Sequence, residues 1–329
     1  MKVAVVGLGS MGRRRTRLIK QYDENTEVFG IDTNAERCAE CEKEFGMKTF
    51  ASIGDLVKAE PEVSCVFIST SPLSHNPIIK ECLANNLHVF TEINLVQDGY
   101  EENIKTAKDK NLCLFLSSTF LYRDEVHYIK DKIMKAKQGK LNYIYHIGQY
   151  LPDWHPWESY KNFFVANKRT SGCREIMAID MPWILDIFGE VKSFKVMKSK
   201  NTELELDYDD NYIIMLEHKN GNKGVFAADV VARKAVRNFE VYSEDLYLTW
   251  DGSATGIKEY DYENKTEKSI DIYEGKAVNL QNYSAFVVEN AYLNEIKAFF
   301  EYVNNGVKPV YNFEDDKILL DMINEIEGV

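Results

Sequence analysis

Apolar and polar positions alternate in two different ways along this chain. In the first 120 residues or so, short apolar runs predict β-strands at 3–6, 28–31, 63–69, 87–90 and 112–117. Amphipathic stretches between them predict helices at 11–22, 34–45, 77–86 and 100–110. This alternation is typical of a parallel sheet covered by helices, with ligands at the carboxyl ends of the strands. The loops 7–12, 32–34, 70–76 and 91–95 are therefore the expected functional loops.

The pattern changes after Tyr122. Helices are predicted at 124–137 and 173–188, with a strand of alternating side chains at 141–150 between them. Strands then run almost continuously from 191 to 272, with a hairpin turn at 219–222, and helices at 283–304 and 313–326 follow. We predict an α/β protein with a parallel-sheet Rossmann domain (1–121) and a second α/β domain (122–329) with a mixed, largely antiparallel open sheet. The last helix, 313–326, is a candidate to pack back on the first domain.

Charge and cysteine content narrow the choice of partners and compartment. With 40 basic against 52 acidic side chains, the net charge is -12, which disfavours nucleic acid and anionic membranes as partners. No apolar stretch reaches the roughly 18 residues of a membrane span. Six scattered cysteines do not form a disulfide framework, and the lone Cys38-x-x-Cys41 falls in a helical pattern. We expect a cytoplasmic protein, and we assign no metal site.

The strongest motif is the glycine loop after the first predicted strand. Gly7-Leu8-Gly9-Ser10-Met11-Gly12 matches G-x-G-x-x-G, opens a helix, and is followed by Asp32 at the end of the next strand. Gly7 suits the tight turn, Gly9 allows a pyrophosphate to approach the backbone, and Gly12 allows close packing of helix on strand. Asp32 would bind the adenosine ribose and disfavour the extra phosphate of NADP. The sequence therefore predicts NAD, with Arg37 as the residue that would favour NADP.

This loop, with Thr70-Ser71-Pro72-Leu73-Ser74-His75 and His88-Val89-Phe90-Thr91-Glu92, resembles the Gfo/Idh/MocA family of NAD(P)-dependent sugar and cyclitol oxidoreductases. The resemblance covers nearly the whole chain. It implies a second domain built on an open sheet that is often used for dimerisation. It also implies further cofactor-site residues: Ser10, Met11, Thr70, Ser71, His75, Glu92 and Asn94.

The chain departs from the family pattern at two positions. The usual Glu-Lys-Pro after the strand ending at Thr91 is Glu92-Ile93-Asn94, so the lysine that handles the substrate hydroxyl is missing. The usual Asp-x-x-x-His on a helix becomes Glu175 and Ile179, so the histidine is missing as well. Hydride removal from a C–H bond needs a base for the hydroxyl proton, and another group has to supply it here.

A loop rich in aromatic and acidic residues, Leu151 to Glu158, contains the candidate replacement. His155 is our first choice as catalytic base and Glu175 our second. Trp154 and Trp157 could stack on a sugar ring, although a merely packed loop is a close alternative. The candidate substrate-binding residues, for a neutral or an anionic sugar, are Arg123, Asp153, Trp154, Trp157 and Lys168.

Three functions are consistent with these residues. The first is an NAD-dependent oxidoreductase that transfers hydride to or from a sugar-like substrate, an activated or acidic sugar among the candidates. The second is a binding protein or sensor that keeps the dinucleotide fold without turnover, which the loss of lysine and histidine favours. The third is a redox-neutral epimerase or lyase that uses bound NAD. The outer face of the open sheet between 191 and 272 predicts a homodimer or homotetramer, with apolar side chains on that face such as Val225, Val230, Phe239, Val241 and Leu248.

Overall fold

The computed structural model describes residues 1–136, 139–274 and 286–329. The chain divides into two compact units, one comprising 1–118 with 292–321 and the other comprising 119–291 with 322–329. The sequence placed this division at 121/122. The helix 313–326 was also predicted to pack back on the first domain. Of this helix, residues 313–321 belong to the first unit.

The first unit contains a six-stranded sheet in the order β3-β2-β1-β4-β5-β6, and every pair in it is parallel. The strands are β1 (Lys2–Val6), β2 (Glu27–Ile31), β3 (Thr49–Phe50), β4 (Cys65–Ile68), β5 (His88–Thr91) and β6 (Leu114–Leu116). The residues of β4 and β6 and most of β1 and β5 are buried, as expected for a parallel sheet covered on both faces. The prediction of an α/β fold with a parallel sheet is confirmed.

Helices connect consecutive strands, and the order of the strands is that of a doubly wound sheet. They are α1 (Ser10–Tyr22), α2 (Ala35–Phe45), α3 (Ile53–Ala59), α4 (His75–Ala84) and α5 (Tyr100–Asp109). Asn34 caps α2 by accepting hydrogen bonds from the backbone of Glu36 and Arg37, and Ser52 caps α3 in the same way. The sequence analysis did not predict β3 and α3, because β3 has only two residues and α3 only seven, too short for a periodic pattern.

The second unit contains an eight-stranded sheet in the order β14-β13-β12-β11-β7-β10-β9-β8. Its strands are β7 (Asn142–Gly148), β8 (Val191–Ser199), β9 (Asn211–His218), β10 (Lys223–Asp229), β11 (Val236–Tyr242), β12 (Tyr247–Trp250), β13 (Lys258–Asp261) and β14 (Thr266–Ser269). β7 and β10 pair in parallel and the other neighbours are antiparallel, with the predicted turn 219–222 joining β9 to β10. The predicted mixed, largely antiparallel sheet is confirmed.

The remaining helices are α6 (Asp124–Lys135), α7 (Gly172–Phe188), α8 (Glu289–Asn305) and α9 (Phe313–Glu327). The predicted end of α6 at Lys137 and the predicted start of α8 at Tyr283 lie outside the described residues. Across the three described ranges, no helix is both long and apolar enough to span a membrane.

One face of the second sheet is buried and the other is open. The sequence placed Val225, Val230, Phe239, Val241 and Leu248 on the open face, but all of them except the half-buried Val225 are at most 2% exposed. That prediction was wrong for those four residues, because strand alternation gives the period but not which of the two faces the helices cover. The apolar side chains that are exposed on these strands are Ile144, Met197, Ile213, Met215 and Tyr242.

Candidate active site

The glycine loop lies between β1 and α1, where a dinucleotide-binding loop is expected. Gly7 has a positive φ of 88°, and a Cβ on Gly12 would lie 1.8 Å from the Gly7 carbonyl oxygen, so both positions require glycine. A Cβ on Gly9 would meet nothing within 4 Å. The backbone at Gly9 therefore borders open space at the N-terminus of α1, and no side chain caps that terminus. Open space beside free N–H groups fits a pyrophosphate.

Asp32 follows β2 and is held beside this loop. Its Oδ2 accepts a hydrogen bond from the Leu8 amide at 2.7 Å and its Oδ1 accepts one from the Asn34 amide at 2.8 Å. Each oxygen keeps a second lone pair for a ribose hydroxyl. The Arg37 guanidinium is half exposed and lies 3.9 Å from Oδ2, so this cation already faces the Asp32 carboxylate. The arrangement fits NAD.

His75 and Asn94 hold together two loops at the carboxyl edge of the first sheet. Nδ1 of His75 lies 2.6 Å from Oδ1 of Asn94, and Nε2 lies 3.0 Å from the Thr70 carbonyl oxygen. The ring is 2% exposed, and burial lowers its pKa, so it is neutral at pH 7. With both ring nitrogens engaged, His75 fixes the loop that carries Thr70 and Ser71 and has no free nitrogen for a substrate.

Glu92 belongs to a buried ionic cluster that the sequence did not reveal. Arg15, on α1, binds Glu92 through two nitrogens at 2.6 and 2.9 Å, and its Nη2 lies 2.8 Å from Oε2 of Glu295. Ser117 and the amide of Ser118 donate hydrogen bonds to Glu295 as well. The contact of Arg15 with the Glu92 carboxylate therefore fixes the start of the 92–94 loop. Only the run Arg13-Arg14-Arg15 hinted at this cluster, and it is equally typical of a solvated helix face.

In the second unit, α7 carries both positions of the altered family motif. Glu175 and Ile179 are one turn apart on this helix, which Ser171 caps by accepting a hydrogen bond from the Arg174 amide. Oε2 of Glu175 is buried and has no hydrogen-bond partner among the described residues. Burial raises the pKa of Glu175 to about 8. A carboxyl that titrates near neutral pH suits proton transfer.

The aromatic loop packs against the start of α7. A Cβ on Gly172 would lie 3.5 Å from the ring of Trp154, whose Nε1 donates a hydrogen bond to the Gln149 carbonyl. His155 stacks on Trp157 with ring centroids 5.1 Å apart, and its Nδ1 lies 3.0 Å from Oε1 of Glu158. The Trp157 side chain is 76% exposed, so one of its faces is available for a ring-shaped ligand. The second unit thus brings the loop 151–158 to the helix of Glu175.

The remaining predicted substrate residues have different surroundings. Arg123 is 2% exposed, pairs with Glu125 and donates hydrogen bonds to the carbonyls of Phe286 and Gly252. These partners occupy its guanidinium, and we leave it out of the proposed substrate site. Asp153 is exposed and 3.9 Å from Arg233, a cation that the sequence analysis did not single out, and Lys168 is exposed.

Asp180, on the opposite side of α7 from Glu175, is fully buried. It accepts hydrogen bonds from the hydroxyl of Tyr145 and from Arg237, whose guanidinium lies over the ring of Phe120. Its partners give it a role inside the core of the second unit.

Comparisons with known proteins agree with this architecture. Residues 1–117 match the Gfo/Idh/MocA model, which describes an oxidoreductase family with an NAD-binding Rossmann fold. Myo-inositol 2-dehydrogenase of Thermotoga maritima is 23% identical, over 97% of this chain and 93% of that protein. Among solved structures, levoglucosan dehydrogenase in complex with NADH is 15% identical with a TM-score of 0.81, over 100% of this chain and 96% of that chain. GenD2 from gentamicin A biosynthesis in complex with NAD is 16% identical with a TM-score of 0.77, over 100% of this chain and 93% of that chain.

The glycine loop, Asp32 and the parallel sheet define the first unit as a dinucleotide-binding domain. Its residues 1–117 match the model of the Gfo/Idh/MocA oxidoreductases with an NAD-binding Rossmann fold, in agreement with the resemblance inferred from the sequence. The predictions of an oxidoreductase and of NAD as its cofactor agree with that family model. At their low identities, the solved structures support the fold of the whole chain.

Proposed function

We propose that the protein transfers hydride between NAD and a sugar-like substrate, with Glu175 and His155 in place of the missing lysine and histidine. The observation that carries this proposal is the buried, unpartnered Oε2 of Glu175, at the helix position where the family has an acidic residue. The names of the relatives agree with it, since they act on inositol and levoglucosan.

For the cofactor, the proposal uses the residues of the first unit. Gly7, Gly9, Ser10, Met11 and Gly12 would hold the pyrophosphate, and Asp32 the adenosine ribose. Thr70, Ser71 and Asn94 stay predicted neighbours of the nicotinamide end, with His75 and Glu92 fixing their loops. Bound NAD supplies the hydride chemistry.

For the proton, the second unit offers two groups of different character. The contact of His155 Nδ1 with the Glu158 carboxylate favours the tautomer with the proton on Nδ1, which leaves Nε2 as a basic nitrogen. A glutamate in water is more acidic than a histidine. Burial raises the pKa of Glu175, however, so its carboxyl keeps the proton near pH 7. A base and an acid on neighbouring elements can hold and return the proton of a reacting hydroxyl.

For the substrate, the exposed ring of Trp157 supports stacking on the apolar face of a sugar. Trp154 is half buried, and it supports the loop through its contact with Gly172. Asp153 and Lys168 are exposed polar groups that could recognise hydroxyls or an anionic group. We therefore propose a sugar-sized ring with polar substituents as the substrate class.

The experiment is a turnover assay with the full chain, NAD or NADH, and a panel of neutral, acidic and nucleotide sugars, followed by nicotinamide absorbance and product mass. Glu175→Gln and His155→Ala should each lower turnover by about a hundredfold and leave NAD affinity unchanged. Glu190→Gln is the matched control, because Glu190 is exposed and paired only at the surface with Lys219. Unchanged turnover in both variants would remove these residues from the mechanism.

Two other outcomes would replace the proposal. NAD binding without conversion of any sugar would favour a binding protein or sensor, the function that Ile93 and Ile179 suggest. A change in product mass without net change in nicotinamide absorbance would indicate a redox-neutral epimerase or lyase.

A further inference from the structure

We propose that Asp316 is a positioning residue for the cofactor site: in the form that binds NAD it holds a proton, and a buried hydrogen-bond network connects it to the loops of Asn94 and Thr70. The network consists of Thr70, His75, Asn94, Tyr100 and Asp316, all in the first unit. The inference rests on the proposed function for one point, that these two loops border the nicotinamide. It adds a dependence of NAD affinity on pH.

The network begins at the carboxyl edge of the first sheet and ends on α9. Nε2 of His75 lies 3.0 Å from the Thr70 carbonyl oxygen, and Nδ1 lies 2.6 Å from Oδ1 of Asn94. The nitrogen of the same amide, Nδ2, is buried without a hydrogen-bond partner and lies toward the Tyr100 hydroxyl. That hydroxyl contacts Oδ2 of Asp316. Residues from four separate parts of the first unit therefore share one line of polar groups.

The donors and acceptors of this network do not match when His75 is neutral and Asp316 is ionised. The Thr70 carbonyl only accepts, so Nε2 of a neutral His75 carries the ring proton and Nδ1 is an acceptor. Nδ1 then faces a second acceptor, Oδ1 of Asn94, at 2.6 Å. Two buried acceptors in contact repel each other and both stay unsatisfied, which is unfavourable in a protein interior.

One additional proton removes this mismatch. When Asp316 holds it, the carboxyl donates to the Tyr100 oxygen and the Tyr100 hydroxyl donates to the Asn94 amide oxygen. Half a turn of that amide brings its oxygen toward Tyr100 and its Nδ2 to Nδ1 of His75, so Nδ2 gains the partner that it otherwise lacks. A proton on the imidazole would satisfy Nδ1 as well, but burial lowers the pKa of His75 and disfavours that cation. The proton therefore lies at Asp316.

The surroundings of Asp316 suit a neutral carboxyl. Its side chain is buried, with the residue 1% exposed, and its Oδ1 accepts a hydrogen bond from the Tyr311 hydroxyl at 2.8 Å. Burial raises the pKa of Tyr100 and of Tyr311 well above the ordinary value of a phenol. Both phenols therefore keep their protons, and the carboxyl is the group that gains or loses one.

Charged side chains on the neighbouring elements also favour the neutral carboxyl. These elements are α4, α5, α9 and the segment 92–98. Their charged groups, with partners, are Lys80 with Glu102, Lys105 with Asp109, Lys317 with Asp321 and Glu92 with Arg15, and the exposed Glu81, Asp98, Glu101, Lys108, Glu314 and Asp315. Acidic groups outnumber cations in this set, which opposes a further negative charge.

The consequence for the cofactor follows from the position of the mismatch. With the proton in place, hydrogen bonds run without interruption from α9 to the loop of Thr70. Without it, the two opposed acceptors lie at the only contact described between His75 and the loop of Asn94, and the two loops lose their fixed spacing. The proton is held below the pKa of the Asp316 carboxyl and lost above it, so NAD affinity falls as the pH rises.

The first measurement is a calorimetric titration of the full chain with NAD from pH 6 to pH 9.5. We expect the Kd of the wild type to rise about tenfold over this range, the size of one buried hydrogen bond. Asp316→Asn supplies an amide that donates at every pH, so its affinity should match that of the wild type at pH 6 and stay level. Asp316→Ala, which interrupts the network, should bind about tenfold more weakly at every pH.

The matched control is Asp315→Asn, which removes the same charge one residue away on the exposed side of α9. It should keep the pH dependence of the wild type. A wild-type affinity that is level with pH, or an Asp316→Asn variant that follows the wild type, would overturn this inference and leave the proposed function intact. A lack of sugar turnover beside pH-dependent NAD binding would overturn the proposed function and leave Asp316 in its role.

The second measurement needs no cofactor. The protein is labelled with ¹³C in the aspartate carboxyls and titrated by NMR, and Asp316→Asn assigns the resonance. We expect one carboxyl that is protonated at pH 6, ionises at higher pH and is absent in this variant, whereas Asp315→Asn keeps it. An Asp316 that is already ionised at pH 6 would overturn the proposal, whatever the affinity for NAD.

Discussion

Replacing Glu175 by Gln should change how the stability of the second unit depends on pH. The pKa of Glu175 rises from its usual 4.5 to about 8 on folding. Below pH 4.5 the folded and unfolded chains both carry the proton. Between pH 4.5 and 8 only the folded chain does, so the free energy of unfolding falls as the pH rises, and above pH 8 it changes no further. Glutamine, which is neutral and of the same shape, removes this dependence.

The magnitude follows from the same two values. Each pKa unit corresponds to about 1.4 kcal/mol, so the wild type loses at most about 5 kcal/mol relative to the variant across the whole range. Glu175 keeps some contact with solvent, which reduces the effect, and we expect about 2–4 kcal/mol between pH 5 and pH 8.

The assay is urea unfolding at several pH values, followed by tryptophan fluorescence. All four tryptophans, Trp154, Trp157, Trp183 and Trp250, belong to the second unit, so the signal reports the unit that contains Glu175. Glu190→Gln should follow the wild type at every pH. A difference between wild type and Glu175→Gln that stays constant within about 0.5 kcal/mol over this range would show that the carboxyl is not neutralised by burial.

Four further predictions concern the rest of the molecule. Gly9→Ala should fold normally, because its Cβ meets open space, yet weaken NAD binding at least tenfold by calorimetry, whereas Gly12→Ala should lower the melting temperature because its Cβ would strike backbone. Arg15→Met should destabilise the first unit by about 3–5 kcal/mol in urea, since it leaves two buried carboxylates without their cation; a loss below about 1 kcal/mol would contradict this. If the open sheet face forms the predicted dimer, Ile144→Glu on that face should turn the dimer into a monomer by light scattering, and a wild type that is already monomeric would refute the prediction of a dimer. Trp157→Ala should raise the substrate KM about tenfold with little change in kcat if the ring stacks on the sugar, and an unchanged KM would exclude that contact.

The sequence by itself determined the first unit and its cofactor. The loop from Gly7 to Gly12 and Asp32 lie within one strand-helix-strand segment, and the physical demands of a dinucleotide on that segment are local: glycines for the turn and a carboxylate after the next strand. The missing lysine and histidine were visible for the same reason, since Ile93 and Ile179 stand inside short motifs. Periodicity also predicted most strands and helices, and it failed for β3 and α3, which are shorter than the window that carries a period.

The tertiary structure decided what depends on residues far apart in the chain. Arg15, Glu92 and Glu295 form one buried cluster although 203 residues, from 92 to 295, separate the two carboxylates, and no local pattern links them. Which face of the second sheet stays open was decided by the packing of helices on it, which alternation along a strand leaves undetermined. The protonation state of the Glu175 carboxyl was decided in the same way. The position of Glu175 on α7 is a property of the sequence. Its pKa depends on which neighbours exclude water and which cations are already paired, and only the folded chain brings those neighbours together.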